Sequence, residues 1–228
     1  MKLIASDFDG TLYRNGEISA RDRAAIEAWQ AGGNLFGIVT GRGADILDTA
    51  HRLGIALDYA IAYNGALVLD RDGGVLYEDV FPRGLAREYF DFAYAGEFRF
   101  QERYGADIVP DDTTPEHQIA LLLTDDAQAV ALTALLNEHF SGRLSSFSNG
   151  WWINTVKWGT SKATGIRHFA DLRGIADADI FAVGDSFNDL PMLTAFDGYV
   201  MASGHPDMRN YVRNVCEDIA HLTELANR

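Results

Sequence analysis

Four short stretches of this chain are almost wholly apolar: Leu3-Ile4-Ala5 and residues 35–39, 59–63 and 180–183. A strand with one wet face alternates apolar and polar side chains, so unbroken apolar runs of this length belong to strands covered on both faces, as in a parallel sheet. Between the runs the spacing becomes helical. Ser19 is a good N-cap with Asp22 three positions later, Ala25, Ile26 and Trp29 share a face, and Gly32-Gly33 stops that helix; residues 45–53, closed by Gly54, make another. This alternation predicts an α/β fold built on a doubly wound, mostly parallel (Rossmann-like) sheet.

The middle of the chain follows a different pattern. Residues 66–70 and 75–79 flank Arg71-Asp72-Gly73-Gly74, a hairpin signal, and a new alternation begins near Phe81-Pro82. Leu85, Tyr89 and Phe92 are helically spaced, residues 119–123 form a strand, Ala129, Leu132, Leu136 and Phe140 line a helix, and residues 147–156 are strand-rich. In that last stretch alternation is expected to send one ring of Trp151-Trp152 inward as core. An inserted α+β cap module is therefore expected at 81–156, with 1–80 and 157–228 forming the core domain.

A length of 228 residues accommodates such a core with one accessory domain. Lys plus Arg number 19 against 33 Asp plus Glu, a net charge of −14, which argues against nucleic acid and anionic membrane as partners. Cys216 is the only cysteine, excluding an intramolecular disulfide and a Cys-cluster zinc site. No apolar run approaches the ~18 residues of a membrane span, and a reducing cytoplasm is the expected location.

Chemistry-bearing residues gather where apolar runs end. Ser6-Asp7-Phe8-Asp9-Gly10-Thr11-Leu12 follows the first run, placing two carboxylates at the carboxyl end of a strand, where open α/β sheets bind ligands. Ile38-Val39-Thr40-Gly41-Arg42 ends the second, and a hydroxyl at Thr40 with the backbone N–H groups that follow at Gly41 can donate to a phosphate oxygen. Val183-Gly184-Asp185-Ser186-Phe187-Asn188-Asp189 ends the fourth; a helix starting there brings Asp185 and Asp189 near one point, and Gly184 permits close backbone approach. Carboxylates converging from several strand ends repel one another unless a hard cation intervenes, and an all-oxygen set suits Mg²⁺. Such a metal draws in an anionic phosphate to where one carboxylate can attack phosphorus.

With these motifs in this order the chain resembles the haloacid dehalogenase superfamily, specifically its Cof-like branch of metabolite phosphatases with an α/β cap. Asp7-Phe8-Asp9-Gly10-Thr11 is similar to the first family motif and Thr40 to the second. Lys162 in Thr160-Ser161-Lys162-Ala163-Thr164-Gly165-Ile166 is similar to the third, and Gly184-Asp185 with Asn188-Asp189 to the fourth. Ala62-Tyr63-Asn64-Gly65-Ala66 also resembles this branch, whereas the cap does so in layout only. The third motif departs in carrying Ala163 where family members often have glycine.

The resemblance implies a Mg²⁺-dependent phosphoric monoester hydrolase acting on small phosphorylated metabolites, such as sugar phosphates. It makes Asp7 the nucleophile that forms an aspartyl-phosphate and Asp9 the general acid and base. Asp7, the Asp9 backbone carbonyl and Asp185 would hold Mg²⁺ with support from Asp189, while Thr40, Gly41, Lys162 and Asn188 would bind the phosphoryl group. Arg42, Asn64, Arg103, His117 and Trp152 are candidate contacts to the substrate's organic part, with Arg83 and Lys157 as further cap cations. Two alternatives stay open: a phosphomutase using the same intermediate, and a receiver-like phospho-acceptor domain, against which the length and the early Asp7-x-Asp9 both argue.

Overall fold

The structure, a computed structural model, describes residues 1–81, 84–101 and 116–228. The chain divides into two compact units, Met1–Tyr77 with Ser161–Arg228, and Glu78–Thr160. Arg83 and Arg103 lie outside the described residues.

The first unit is built on an eight-stranded sheet. Its strands are β1 (Leu3–Ser6), β2 (Leu35–Val39), β3 (Tyr59–Ala62), β4 (Leu67–Asp70), β5 (Val75–Glu78), β9 (Ile180–Gly184), β10 (Tyr199–Met201) and β11 (Asn214–Cys216), in the order β11-β10-β9-β1-β2-β3-β4-β5. The pairs from β11 across to β3 are parallel, and β4 runs antiparallel to β3. The chain thus winds outward from β1 in both directions, the doubly wound arrangement whose ligand crevice opens where the order reverses. Leu3 pairs with Leu35 on one side and Ile180 on the other.

Helices cover both faces. On one, Ile4, Phe36 and Ile38 pack with Ile26 and Trp29 of α1 (Ala20–Ala31), Ile46 of α2 (Ile46–Arg52) and Leu222 of α7 (Ile219–Ala226). On the other, Leu3, Ala5, Val39 and Tyr59 pack with Ile166 and Phe169 of α5 (Lys162–Arg173) and Leu193 of α6 (Leu190–Ala195). Successive β1 residues feed opposite cores, which is why Leu3, Ile4 and Ala5 are all apolar. The Ser19 side chain accepts from Asp22 N–H at 3.0 Å to start α1 as expected, and Ser161 with Thr164 forms a capping box that starts α5.

Residues 78–160 form an α+β unit with an antiparallel sheet of β6 (Ile119–Leu122), β8 (Trp152–Lys157) and β7 (Leu144–Asn149) in that order. Tyr89 and Phe90 of α3 (Leu85–Ala95) and Leu132 and Leu136 of α4 (Asp126–His139) pack with Leu121, Leu144 and Ile153. The expectation that one tryptophan ring turns inward is corrected. Trp151 and Trp152 are 48% and 44% exposed, because Trp151 sits in the turn before β8 and the first inward position of that strand falls to Ile153. Among the described residues no helix is long and apolar enough to cross a membrane.

One buried carboxylate ties distant parts of the first unit together. Asp22, fully buried, accepts from Arg14 Nη2 at 2.8 Å and from the Ala220 N–H at the start of α7 at 3.0 Å. Asp22→Ala strands both donors, and we expect a loss of about 3 kcal/mol, from the cost of orphaned buried donors and broken ion pairs. Thermal unfolding checks this: a fall of roughly 6–12 °C in Tm is expected for a chain of this size, and a fall under 2 °C would refute the tie.

Candidate active site

The site grows from the carboxyl ends of β1 and β9. Asp7 follows β1 directly and stays in sheet register, its N–H donating to the Val183 carbonyl at 2.9 Å, so its side chain emerges where the strand order reverses. Asp185 follows Gly184 at the end of β9, and the backbone then turns so that Asp189 returns beneath it. That return needs a glycine: a Cβ on Gly184 would stand 2.4 Å from the Asp189 carboxyl carbon. Asp189 Oδ2 accepts from the Asp185 and Ser186 N–H groups at 2.9 and 3.1 Å, clamping the loop.

Lys162, the first residue of α5, projects into this group with 1% of its side chain exposed, and its Nζ donates to Asp7 Oδ1 and Asp189 Oδ1, each at 2.6 Å. Asp7, Asp185 and Asp189 each offer a carboxylate oxygen within 4.8 Å of the others, the one such cluster among the described residues. One ammonium faces three carboxylates. Burial raises the Asp7 pKa well above the ordinary value, the Asp189 charge adds to this, and Lys162 opposes it. Burial and Asp189 likewise raise the Asp185 pKa. Burial disfavours the Lys162 charge, yet Asp189 and Asp7 outweigh it and hold the pKa above the usual lysine value. An excess of buried carboxylate oxygens that resist ionising together is a donor set suited to a hard divalent cation.

Asp9 stands apart from this cluster. Its side chain is 52% exposed and accepts two hydrogen bonds from Arg42, Nε to Oδ2 and Nη2 to Oδ1, both at 2.7 Å. The guanidinium also lies 5.0 Å from the centre of the Phe8 ring, and the bond to Asp9 raises its pKa. Thr40 is buried just past β2, where its hydroxyl accepts from the Arg42 N–H at 3.1 Å and its backbone N–H donates to Ile61 at 2.8 Å. Asn188 is half-buried, its side-chain oxygen accepting from the Ser186 hydroxyl. Asn64 is 3% exposed and lies beside Gly41, where a Cβ would stand 3.1 Å from its Nδ2. In the second unit Trp152 is exposed, and His117 Nε2 is 3.4 Å from Glu78 Oε2.

Sequence reasoning named Arg42 only as a substrate contact and missed its grip on Asp9, since nothing in the spacing links positions on two different strands. It also gave no role to Thr11, which is fully buried and donates from Oγ1 to Asp185 Oδ1 at 2.9 Å. The signal was present, because Thr11 completes Asp-x-Asp-Gly-Thr.

Comparison with known proteins agrees with this architecture. A solved haloacid dehalogenase-like hydrolase from B. subtilis superposes with a TM-score of 0.84 at 20% identity, covering 98% of this chain and 99% of that one. A phosphatase of the haloalkanoate superfamily from Bacteroides thetaiotaomicron superposes at 0.81 with 24% identity, covering 100% and 94%. Among curated proteins a phosphoglycolate phosphatase from Natronomonas pharaonis is 27% identical over 209 residues, 90% of this chain and 87% of the relative. The family model for haloacid dehalogenase-like hydrolases matches residues 4–105 and 89–221, nearly the whole chain, which therefore belongs to that family of enzymes.

Proposed function

We propose that this hydrolase is a Mg²⁺-dependent phosphatase that cleaves phosphate monoesters of small metabolites through a phosphorylated Asp7. The observation that carries the reading is the buried Asp7 carboxylate, 2.6 Å from the Lys162 ammonium and clustered with Asp185 at the crevice of the sheet. The phosphatase names of two relatives support it.

In this reading Asp7 and Asp185, with the Asp9 backbone carbonyl, hold the cation, and Asp189 braces them through the bonds it already makes. Bound there, Mg²⁺ supplies positive charge that offsets the phosphoryl group and lets an anionic nucleophile approach. Asp7 attacks phosphorus; the new O–P bond forms as the ester O–P bond breaks, and Asp9 gives the departing alkoxide its proton. Asp9 then takes a proton from water as the water oxygen attacks phosphorus, releasing inorganic phosphate and restoring the Asp7 carboxylate. Lys162, Thr40, the Gly41 N–H and Asn188 hold the phosphoryl oxygens. Arg42 bonds both oxygens of Asp9, so Asp9 gives up at least one of these bonds to carry the proton. Choice among metabolites is assigned to the 81–156 segment as a cap domain, with Trp152, His117 and Arg103 as its candidate contacts and core domains at 1–80 and 157–228.

Asp7→Asn is nearly isosteric, keeps an oxygen that can accept from Lys162 and leaves the lysine's ion pair with Asp189, so it should still fold while turnover falls at least ~10³-fold. A variant retaining a tenth of wild-type turnover would sink the nucleophile assignment.

Asp9→Asn should slow alkyl phosphates ~10²–10⁴-fold. The defect should shrink for p-nitrophenyl phosphate, whose leaving group needs no proton; equal defects on both would count against the acid role.

Removal of divalent cations by EDTA should abolish phosphate release, and Mg²⁺ should restore it where Ca²⁺, with its larger and looser coordination shell, does not. Calorimetric titration with Mg²⁺ should show binding to the wild type and its loss in Asp185→Ala. Full activity in excess EDTA would refute the metal site.

A further inference from the structure

The turn joining β3 to β4 carries the longest run of positive φ among the described residues: 50° at Tyr63, 53° at Asn64 and 106° at Gly65. Left-handed backbone is unfavourable for residues with a Cβ, least so for asparagine, and it persists only where the surroundings demand it. Here the demand comes from two sides. Turned this way, the Tyr63 N–H donates to the Arg42 carbonyl at 2.8 Å and the Asn64 N–H donates to the Thr40 carbonyl at 2.9 Å, so the turn holds the loop that follows β2. Its far side lies against the start of α5. A Cβ on Gly65 would stand 1.9 Å from the Ser161 carbonyl oxygen and 3.2 Å from the Lys162 nitrogen, and a Cβ on Gly165 would stand 2.9 Å from the Gly65 Cα.

Thr40 and Lys162 are far apart in sequence, yet this one turn contacts the backbone that carries each. Asn64 is 3% exposed, which leaves almost none of it for a substrate to touch. We infer that Tyr63–Gly65 is a positioning element that sets the Thr40 loop and the Lys162 ammonium relative to one another, and that Asn64 acts through its left-handed backbone rather than through contact with the substrate. The roles of Thr40 and Lys162 in this inference rest on the phosphatase reading.

A substitution series at Asn64 tests it, because the two possible roles rank the variants in opposite orders. If conformation is what matters, Asn64→Gly keeps kcat within about threefold, since glycine enters the left-handed region freely. Asn64→Ala should then be worse. Asn64→Val should be worst, with kcat down about 10²-fold, the cost of misplacing catalytic groups by about 1 Å. Inhibition by orthovanadate should weaken in the same order. If the amide itself contacts substrate, Asn64→Gly suffers at least as much as Asn64→Val, and that result, or wild-type kcat in Asn64→Val, overturns the proposal. Should Asn64→Val fail to fold, the order of Asn64→Gly and Asn64→Ala decides. A wild type that releases no phosphate from any ester would defeat the phosphatase reading instead. The positioning claim then stands or falls on crystals of Asn64→Val or Asn64→Ala: Lys162 should have left at least one of its carboxylate contacts, and both contacts intact would refute it.

Discussion

The Lys162 ammonium lies where three separate parts of the chain meet, 2.6 Å from Asp7 after the first strand and 2.6 Å from Asp189 after the ninth. Gathering carboxylates in a buried crevice without a cation would push their protons back on, and burying a lysine without carboxylates would strip its charge. Each is tolerable only because of the other. The capping box of Ser161 and Thr164 fixes where α5 begins, and so where the lysine projects. The second oxygen of Asp189 in turn holds the loop that carries Asp185. Breaking one arm of such a buried pair costs about 3–5 kcal/mol, so geometry and stability at this point are one property.

Two aspartates only two positions apart are given opposite surroundings. Asp7 is buried against an ammonium and other carboxylates, while Asp9, half exposed, lies in the fork of Arg42. Two like groups are made chemically unlike when their environments differ in this way. Directly after Asp9 the chain turns at Gly10, with φ of 84°, where a Cβ would stand 2.6 Å from Asp185 Oδ2.

Much of the central sheet was legible because double-sided burial leaves few polar positions in β1, β2, β3 and β9, Ser6 and the Tyr59 hydroxyl being the exceptions. The strands β10 and β11 were not: three residues each, with Tyr199 and Asn214 keeping polar atoms at their starts, they are too short to show a period and are defined by pairing, β10 with β9 and β11 with β10. Residues 147–156 read as one strand-rich stretch, whereas the turn at Gly150-Trp151 makes two. The apolar run at 59–63 suggested a strand through Tyr63, but that residue opens the left-handed turn. Of the site, Asp7, Asp185 and Asp189 were legible as types at strand ends, and Lys162 only through its resemblance to the third family motif. The Arg42–Asp9 bond and the hydroxyl of Thr11 on Asp185 were not, since each joins residues that only the folded sheet makes neighbours.

The order of strands has a consequence for how the chain is made. β1 leaves the ribosome well before its partner β9, which begins at Ile180, after the whole of Glu78–Thr160 has been synthesised. That intervening unit is one continuous length of chain whose described strands pair only with one another, so it can complete its core while the first unit still waits for three of its eight strands. Until then β1 offers an unpaired edge, the hazard that slow, non-local parallel pairing brings. A chain cut before β9 therefore has neither a completed sheet nor the gathered carboxylates of Asp7, Asp185 and Asp189.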